Sequence, residues 1–244
     1  MSPFETITNE ILPSGVALLT LNRPEKRNAL SILMRREISS CLSAWKEDPG
    51  VGAVVVGGVG PVFCAGFDLD EFREPSLFPQ ILESSSRYHR DVWYFPKPVI
   101  AAVNGAALGG GFDLATLCDI RLCDPTACFG HPEVKSGAPP FWTPLRWIIG
   151  DGRARELCLT GRRMPAAEAL QAGLVNEVVV PGGVVSRAVR VAEGILDAPQ
   201  ETVLAAKAFF LKGREEFERA FTVEHDEAFR EVLLPLLLRA RQEG

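Results

Sequence analysis

Three consecutive glycines and two acidic residues form the most reactive pattern in this 244-residue chain. Asp113 follows Gly109-Gly-Gly111 almost directly, and Glu133 comes later, in the run Gly-His-Pro-Glu. Glycines at a helix start leave backbone N–H groups uncovered at the positive end of the helix dipole, where a developing oxyanion is stabilised. The pattern therefore predicts an anion-stabilising backbone site with carboxyl groups available for acid–base chemistry.

A second glycine turn offers another backbone donor. The run Phe63-Cys-Ala-Gly-Phe-Asp-Leu69 predicts a strand that enters a turn at Gly66 and exposes the next N–H. An oxyanion hole needs two donors that converge from separate segments, and these two segments lie about forty residues apart. Each feature alone also has a structural interpretation, since glycines permit close helix–strand packing and acids favour helix starts and solvated loops.

The triple glycine fits neither common phosphate-binding motif. The pattern GxGxxG cannot be placed on the run from Asn104 to Asp113, and no Lys-Ser or Lys-Thr follows Gly110. A nucleotide-binding loop is therefore not predicted here.

Taken together, these motifs resemble the crotonase superfamily, the enoyl-CoA hydratase/isomerase family. The matching segments, in the family's order between about residues 5 and 180, are Leu21–Leu30 (LNRPEKRNAL), Phe63–Leu69, Asn104–Ala115 (NGAALGGGFDLA), Phe129–Glu133 (FGHPE), Arg153–Gly161 (RARELCLTG) and Ala166–Val175. The resemblance implies an α/β fold, a crotonase-like spiral of strand–strand–helix repeats with a helical C-terminal subdomain. We accordingly predict a core over residues 1–185 and a helical, oligomerising part over 186–244.

The resemblance also implies roles for individual residues. The N–H groups of Phe67 and Gly110 would form the oxyanion hole for a thioester carbonyl, with Asp113 and Glu133 as catalytic acids. In a hydratase, one carboxylate deprotonates the water that attacks Cβ, and the other protonates Cα. Isomerases of the family rely mainly on the acid at the Glu133 position. The residues expected to contact substrate or CoA are Lys26, Arg27, Ala65, Asp68, Leu69 and Phe141.

Two departures from the family pattern affect the predicted chemistry. Asp113 stands where hydratases usually have Glu, which shortens its reach by ~1.5 Å. Phe141 and Trp142 replace a usually glycine-rich run and are expected to narrow or reshape the acyl pocket. Phe141 also stands where some dienoyl-CoA isomerases and dehalogenases have a catalytic Asp, which disfavours those activities.

A third departure concerns CoA. Asp70 stands where many family members have a Lys near the CoA phosphates. Lys26 and Arg27 are then the candidates for CoA contact, and a solvated turn is the alternative interpretation of both.

The resulting hypothesis is an enoyl-CoA hydratase, with CoA entering as part of the substrate and no separate cofactor. The alternatives are an enoyl-CoA delta isomerase that uses mainly Glu133, a thioesterase or C–C hydrolase on the same scaffold, and a non-catalytic acyl-CoA-binding protein. Fatty acid metabolism is the setting that the family implies, but the sequence does not separate it from the degradation of aromatic or terpenoid acids.

Short strands that alternate with helices must position these residues, and this alternation indicates an α/β protein. Strands are predicted at 15–21, 53–56, 61–67, 98–103, 120–123 and 127–130. Helices are predicted at about 30–47, 76–94, 109–118, 141–150, 152–160, 165–171, 184–196, 200–213 and 215–240. The last helices carry more apolar residues than one small layer needs, which fits a subunit interface or a plain core.

Composition limits the remaining possibilities. The net charge of -5 disfavours nucleic-acid binding, and no apolar run approaches the ~18 residues of a membrane span. Cys118, Cys123, Cys128 and His131 do not have the spacing of a zinc or iron–sulfur site, so no metal is predicted. We expect a cytoplasmic protein without a secretory signal, and the resemblance implies a homotrimer or a dimer of trimers.

Overall fold

A computed structural model describes residues 4–211 and 215–242. The strands within these residues are β1 (Ile7–Ile11), β2 (Val16–Leu21), β3 (Ala53–Gly58), β4 (Val62–Cys64), β5 (Val99–Val103), β6 (Ala106–Leu108), β7 (Ile120–Cys123), β8 (Cys128–Gly130), β9 (Met164–Pro165) and β10 (Glu177–Val178). The α-helices are α1 (Ile32–Lys46), α2 (Phe78–Trp93), α3 (Gly110–Leu117), α4 (Thr143–Ile149), α5 (Asp151–Thr160), α6 (Ala166–Gln171), α7 (Val184–Leu196), α8 (Gln200–Leu211), α9 (Glu215–Ala220) and α10 (Leu234–Gln242).

The strands form two sheets whose order follows from a repeated unit. The larger sheet has the order β1-β2-β3-β5-β7-β10, and the smaller has the order β4-β6-β8-β9. In three successive pairs, β3–β4, β5–β6 and β7–β8, the first strand joins the larger sheet and the second joins the smaller one. Neighbouring strands of these pairs run parallel. The chain therefore winds as a spiral of strand–strand repeats, as predicted.

Every predicted helix and strand corresponds to an observed element, but four short strands were not predicted. β6 lies between Asn104-Gly105 and the triple glycine, and its three residues are too few to show alternation. β9 and β10 have two residues each. β1 is an edge strand with mostly polar residues, and it pairs antiparallel with β2.

The helices cover the larger sheet on both faces. One face, together with the smaller sheet, packs against α1, α2 and α3 in the main apolar core. The other face is covered by α7, whose Val184, Ala188 and Ala192 pack against residues of β3, β5 and β7. The predicted boundary between residues 185 and 186 falls inside this helix, and the two-part division stays a prediction.

The C-terminal segment from 215 to 242 is helical throughout, but its middle is widened. Residues 221–227 and 229–233 form π-helical turns between α9 and α10. Phe229 of this segment packs against Phe78 and Ile81 of α2 in a separate apolar cluster. The segment therefore returns to the body of the protein beside α2. Of the predicted helix at 200–213, residues 212 and 213 lie outside the described residues.

Candidate active site

The turn after β4 presents the N–H of Phe67 toward the start of α3. Gly66 has a φ of 102°, a conformation that favours glycine, and its carbonyl accepts a hydrogen bond from the N–H of Leu30 (2.8 Å). The N–H of Asp68 donates to the carbonyl of Leu30 (3.2 Å). Phe67 lies between these two bonds, and its own N–H donates to no backbone carbonyl in the described part of the chain.

The start of α3 meets this turn closely. Gly109 is the N-cap, with a φ of 50° and no side-chain cap, so the N–H of Gly110 also lacks a backbone acceptor among residues 4–211 and 215–242. A Cβ atom placed on Gly66 would lie 3.5 Å from the amide nitrogen of Gly110, and one placed on Gly110 would lie 3.2 Å from the Phe67 ring. The two segments named as donors of the oxyanion hole thus come into contact.

The two predicted acids lie beside these donors. Asp113 is in the first turn of α3 and is only 5% exposed. Glu133 lies in a short 3-10 helix, Pro132–Ser136, and a Cβ on Gly109 would be 3.1 Å from its Oε2 atom. His131 stands between them, with Nδ1 2.8 Å from Glu133 Oε1 and Nε2 3.8 Å from Asp113 Oδ1.

Burial changes the acidity of Asp113. Loss of hydration is the main cause that raises the pKa of Asp113 from 3.8 to about 8. The charge on His131 opposes this shift, while the negative charges of Glu133 and Glu224 add to it. With this pKa, Asp113 is mainly protonated at neutral pH.

The chain contains three histidines; two of them face Asp113, and the third, His225, packs against His89. His89 on α2 is fully buried, with Nε2 4.0 Å from Asp113 Oδ2 and its ring stacked on Phe141. His225 meets the His89 ring edge-on, with ring centroids 4.8 Å apart. Burial and the nearby positive charges, chiefly that of His225, hold the pKa of His89 well below its usual range, so its ring is neutral.

The sequence motifs predict no role for these histidines. His131 lies in a motif but lacks the spacing of a metal ligand, and His89 and His225 belong to no motif. The signal that identifies them is spatial, because α2, β8 and the C-terminal segment meet only in the folded chain.

Two cavities meet at this cluster. The inner pocket, about 200 Å³, has mainly apolar walls that include Phe67, Phe72, Phe141 and Phe229, and the C-terminal segment closes it. The outer groove, about 400 Å³, contains five of the predicted substrate-contact residues: Lys26, Arg27, Ala65, Asp68 and Leu69. The sixth, Phe141, lies in the inner pocket. Phe67, Leu69 and Glu133 border both cavities.

Charged side chains along the outer groove are linked through Asp70. Lys26 and Arg73 each lie 2.9 Å from an oxygen of this carboxylate, and all three side chains are exposed. Arg73 was missed in the sequence analysis because it lies outside the recognised motifs. The groove thus offers three basic side chains, those of Lys26, Arg27 and Arg73.

Another cavity, of about 440 Å³, lies between α8 and the start of β7. Of its three charged lining residues, Lys207 and Asp119 form an ion pair with each other (2.5 Å), and the third is Arg121. Asp119 is the one carboxyl group among the residues that line it, whereas both predicted acids, Asp113 and Glu133, line the inner pocket.

The described residues contain no group of three or more His, Cys, Asp or Glu side chains suited to a metal ion. Cys118 and Cys123, which the sequence analysis examined, are buried free thiols. Within the same residues, no helix has the length and apolar character needed to cross a bilayer.

Comparison with known proteins agrees with this fold. A sequence profile described as enoyl-CoA hydratase/isomerase matches residues 12–231. The chain is 40% identical over 195 residues to a protein named probable enoyl-CoA hydratase, mitochondrial, from Dictyostelium discoideum, covering 79% of this chain and 70% of that one. It is 39% identical over 207 residues to a probable enoyl-CoA hydratase of Rhizobium meliloti, covering 84% and 80%.

The structural comparison gives the same result. The crystal structure of an enoyl-CoA hydratase from Bacillus anthracis superimposes with a TM-score of 0.83 at 31% identity, over 93% of this chain and 90% of that one. The fold is therefore the crotonase fold, as predicted. The chain belongs to the enoyl-CoA hydratase/isomerase family.

Proposed function

We propose that this protein is an enoyl-CoA hydratase, a hydro-lyase that adds water across the 2,3 double bond of an enoyl-CoA thioester. The observation that supports this most directly is the junction of the two cavities. There, two backbone N–H groups of touching segments, neither with a backbone acceptor in the described part of the chain, lie beside two carboxyl groups. A site with converging donors and paired acids suits proton transfer next to a polarised carbonyl.

The substrate would occupy both cavities. We place the CoA part in the outer groove, where Lys26, Arg27 and Arg73 offer positive charge to phosphate groups. The acyl chain would enter the inner pocket, whose walls are mainly apolar and aromatic. The thioester carbonyl then falls at the junction, within reach of the N–H groups of Phe67 and Gly110.

The chemistry follows from that placement. The two N–H groups would stabilise the negative charge that develops on the carbonyl oxygen as water attacks Cβ. One such donor is typically worth 10²–10³-fold in rate. As the oxygen–Cβ bond forms, the double-bond electrons move toward Cα and the carbonyl, giving an enolate. One carboxylate takes a proton from the attacking water, and the other carboxyl group delivers a proton to Cα.

Two acids in contact with one imidazole favour hydration over isomerisation. An isomerase needs one carboxylate that moves a proton between two carbons, whereas Asp113 is a second, mainly protonated acid in the same cluster. Assembly as trimers, a role in fatty acid metabolism and a cytoplasmic location stay predictions.

The test is to incubate the purified protein with crotonyl-CoA and with trans-3-hexenoyl-CoA and to identify the products by mass. Hydration adds the mass of one water to crotonyl-CoA. A shifted double bond in the hexenoyl substrate without a mass change would replace the proposal with an isomerase. No reaction with either would indicate another acyl group, a hydrolase or a non-catalytic CoA binder.

Variants define the residues involved. We expect Glu133→Gln to abolish hydration and Asp113→Asn to reduce it at least ~10²-fold, because each removes one proton-transfer group. The matched control is Glu83→Gln, which changes an exposed carboxylate paired with Arg36 on the surface. Full activity in Glu133→Gln would contradict the assignment.

A further inference from the structure

One ionisable side chain of the inner pocket has no part in the proposed hydration. His225 belongs to the C-terminal segment, and its side chain is only 10% exposed. It lines the inner pocket and does not border the outer groove. In a wall that is mainly apolar, a polar atom without a hydrogen-bond partner costs free energy. An acyl group that carries a polar atom could supply that partner.

The orientation of the His225 ring is fixed by Asp226. Nδ1 lies 2.7 Å from Asp226 Oδ1, while Oδ2 accepts a hydrogen bond from Ser86 Oγ (3.2 Å) and lies 3.8 Å from Arg90 Nη2. Burial raises the pKa of Asp226, but the hydrogen bond and charge of the His225 ring, together with these two partners, outweigh burial and lower it. An ionised carboxylate only accepts hydrogen bonds, so Nδ1 donates. Nε2 then points away from Asp226 and, within the described residues, forms no hydrogen bond.

Other polar residues of the pocket wall already have partners or roles. Oε2 of Glu224 accepts the N–H groups of Trp142 (3.0 Å) and Thr143 (2.9 Å), and its Oε1 accepts the Thr143 hydroxyl, so Glu224 caps the start of α4. Ser85 donates its hydroxyl to the carbonyl of Leu82 (3.1 Å). The two predicted acids belong to the reaction. Among the ionisable side chains described around this pocket, His225 is therefore the one left to bind a group of the substrate.

The backbone around His225 is widened where it meets the pocket. Residues 221–227 form π-helical turns, which are rare and occur frequently at functional sites. The neighbouring residues Glu224 and His225 both line the pocket, as do the neighbours Ala228 and Phe229. An unusual backbone and a ring held by an anchored carboxylate are two separate indications that the position of His225 serves a ligand.

The place of His225 in the pocket determines which part of the substrate it reaches. His89 contacts both the acid and His225, with Nε2 4.0 Å from Asp113 Oδ2 and the two imidazole centroids 4.8 Å apart. His225 therefore lies about one ring beyond the acid, on the side away from the CoA groove. A substrate group that bonds to Nε2 must lie on the acyl chain beyond Cβ.

A hydroxyl group suits Nε2 in both protonation states of the ring. Nε2 accepts a hydrogen bond when the ring is neutral and donates one when the ring is protonated. A hydroxyl can donate and accept, so it can bond in either case. A carboxylate only accepts and would suit the protonated ring alone.

We propose that His225 is a specificity-determining residue that hydrogen-bonds a hydroxyl group on the acyl chain, so that the substrates are 2-enoyl-CoA thioesters hydroxylated beyond Cβ. This inference rests on the proposed hydratase function and names its substrate class. Asp226, together with Ser86 and Arg90, positions the ring.

The competing interpretation is that His225 only anchors the C-terminal segment and that water satisfies Nε2. Its removal would then affect plain and hydroxylated substrates equally. The ratio of kcat/KM for two matched substrates separates the interpretations, because a loss of folded protein cancels in that ratio.

The first experiment measures kcat/KM for 2-pentenoyl-, 2-hexenoyl- and 2-heptenoyl-CoA, each compared with the same chain hydroxylated at its last carbon. Several lengths are used because the hydroxyl must reach Nε2. We expect the hydroxylated member of at least one pair to be favoured at least ~10-fold, since a site built to bond a substrate hydroxyl discriminates against the analogue that lacks it. Absence of a preference at every length would overturn the proposal.

Variants test whether His225 causes the preference. The ratio should fall to about one in His225→Leu, whereas the amide of His225→Gln can still bond a hydroxyl and should retain part of the preference. The control is Glu227→Gln, an exposed residue of the same π-helical turns that does not line the pocket. It should keep the native ratio. A native ratio in His225→Leu, or an equal loss in Glu227→Gln, would also overturn the proposal.

A second measurement does not depend on turnover. Isothermal titration calorimetry compares the saturated thioesters of the same three lengths, with and without the terminal hydroxyl. The native protein should bind the hydroxylated member of one pair about 3- to 10-fold more tightly, the usual value of one hydrogen bond, and His225→Leu should bind both members equally. This result without any hydration would overturn the hydratase function alone. Equal binding in the native protein would overturn recognition of the hydroxyl even if hydration occurs.

The carboxylate alternative is tested in the same titrations with 5-carboxypentanoyl-CoA. If it binds more tightly than 6-hydroxyhexanoyl-CoA and loses this advantage in His225→Leu, the assignment to a hydroxyl group is wrong. Weaker binding than that of the hydroxylated thioester supports the assignment. Far-ultraviolet circular dichroism of each variant confirms that it is folded.

Discussion

At the residue scale, burial of the Asp113 carboxyl group works against stability. Its burial raises the pKa of Asp113 to about 8, whereas the ordinary value is 3.8. Between these values the unfolded chain has released the proton and the folded chain has kept it. The contribution of Asp113 to stability is therefore fully present below about pH 4 and is lost as pH rises toward 8. In this range only the unfolded state gains free energy from ionisation of the carboxyl group.

The first prediction follows from that sign. Asp113→Asn keeps the shape and removes the ionisation, so it should increase the free energy of unfolding at pH 8 by on the order of 3–5 kcal/mol while it reduces activity. The measurement is urea unfolding at pH 4, 6 and 8. At pH 4 the two proteins should be equally stable. An equal difference at every pH would show that Asp113 is not protonated in the folded state.

Prediction at this scale was limited by what a linear motif can contain. Asp113 and Glu133 were identified because each lies in a short recognisable run. His89 and His225 were missed because no local pattern connects α2 and the C-terminal segment to α3. His131 lies within a recognised run, but its contact with both acids depends on how β8 meets α3.

At the element scale, α1 holds the turn that contains Phe67. Arg35 on this helix is completely buried; its guanidinium donates to the carbonyl of Leu30 (2.5 Å) and pairs with Glu71 (3.3 Å). It also lies over the Phe67 ring, 4.9 Å from the centroid. Leu30 in turn accepts the N–H of Asp68, so the position of the predicted oxyanion donor depends on this arginine.

We therefore expect Arg35→Lys to reduce kcat ~10- to 100-fold with a smaller change in KM, since a lysine cannot reproduce the planar fork of donors. The substitution removes the charged partner of Glu71 Oε2 and one of the two donors to the Leu30 carbonyl, which should also lower stability by about 2–4 kcal/mol. The control is Arg36→Lys on the same helix, whose side chain is exposed and pairs with Glu83. Equal steady-state kinetics in both variants would contradict a role for Arg35 in positioning the turn.

The contact of α3 with β4 gives a third prediction. A Cβ on Gly111 would lie 2.6 Å from Cys64 Cβ, so Gly111→Ala must push α3 away from the strand that leads to Phe67. We expect hydration to fall at least ~10-fold, because the two N–H donors separate. Gly152→Ala in α5 is the control, since nothing lies within 4 Å of that position. Its activity should be unchanged, and its thermal stability equal or higher.

Elements were predicted well where the pattern was long. The helix α1 has apolar residues at helical spacing and an N-cap at Ser31, and its predicted and observed bounds nearly coincide. β6, β9 and β10 have two or three residues each, and their pairing partners are distant in sequence. Such strands exist because the spiral brings their neighbours alongside, which a window of adjacent residues does not show.

At the scale of the whole molecule, the C-terminal segment completes the inner pocket. Phe229, Leu233 and Leu237 line this pocket on one side and pack beside α2 on the other. Some of the apolar residues that the sequence analysis found in excess in the last helices are therefore packed within the chain. Phe210 and Leu238 are exposed, and an interface between subunits at this end of the chain stays a prediction.

Removal of a side chain from the C-terminal segment should therefore lengthen the inner pocket. Phe229 is nearly buried and lies against the rings of Phe72 and Phe78, so Phe229→Ala should lower the free energy of unfolding by about 3 kcal/mol. The space it leaves should also improve kcat/KM for longer 2-enoyl-CoA chains relative to crotonyl-CoA.

Val232→Ala, an exposed position on the same segment, is the control and should alter stability by no more than about 0.5 kcal/mol. The measurement compares kcat/KM across a series of chain lengths in both variants. A side chain in contact with the substrate cannot be removed without changing which acyl chain fits. If Phe229→Ala loses stability but keeps the native chain-length preference, the C-terminal segment therefore supports the fold without contacting the acyl chain.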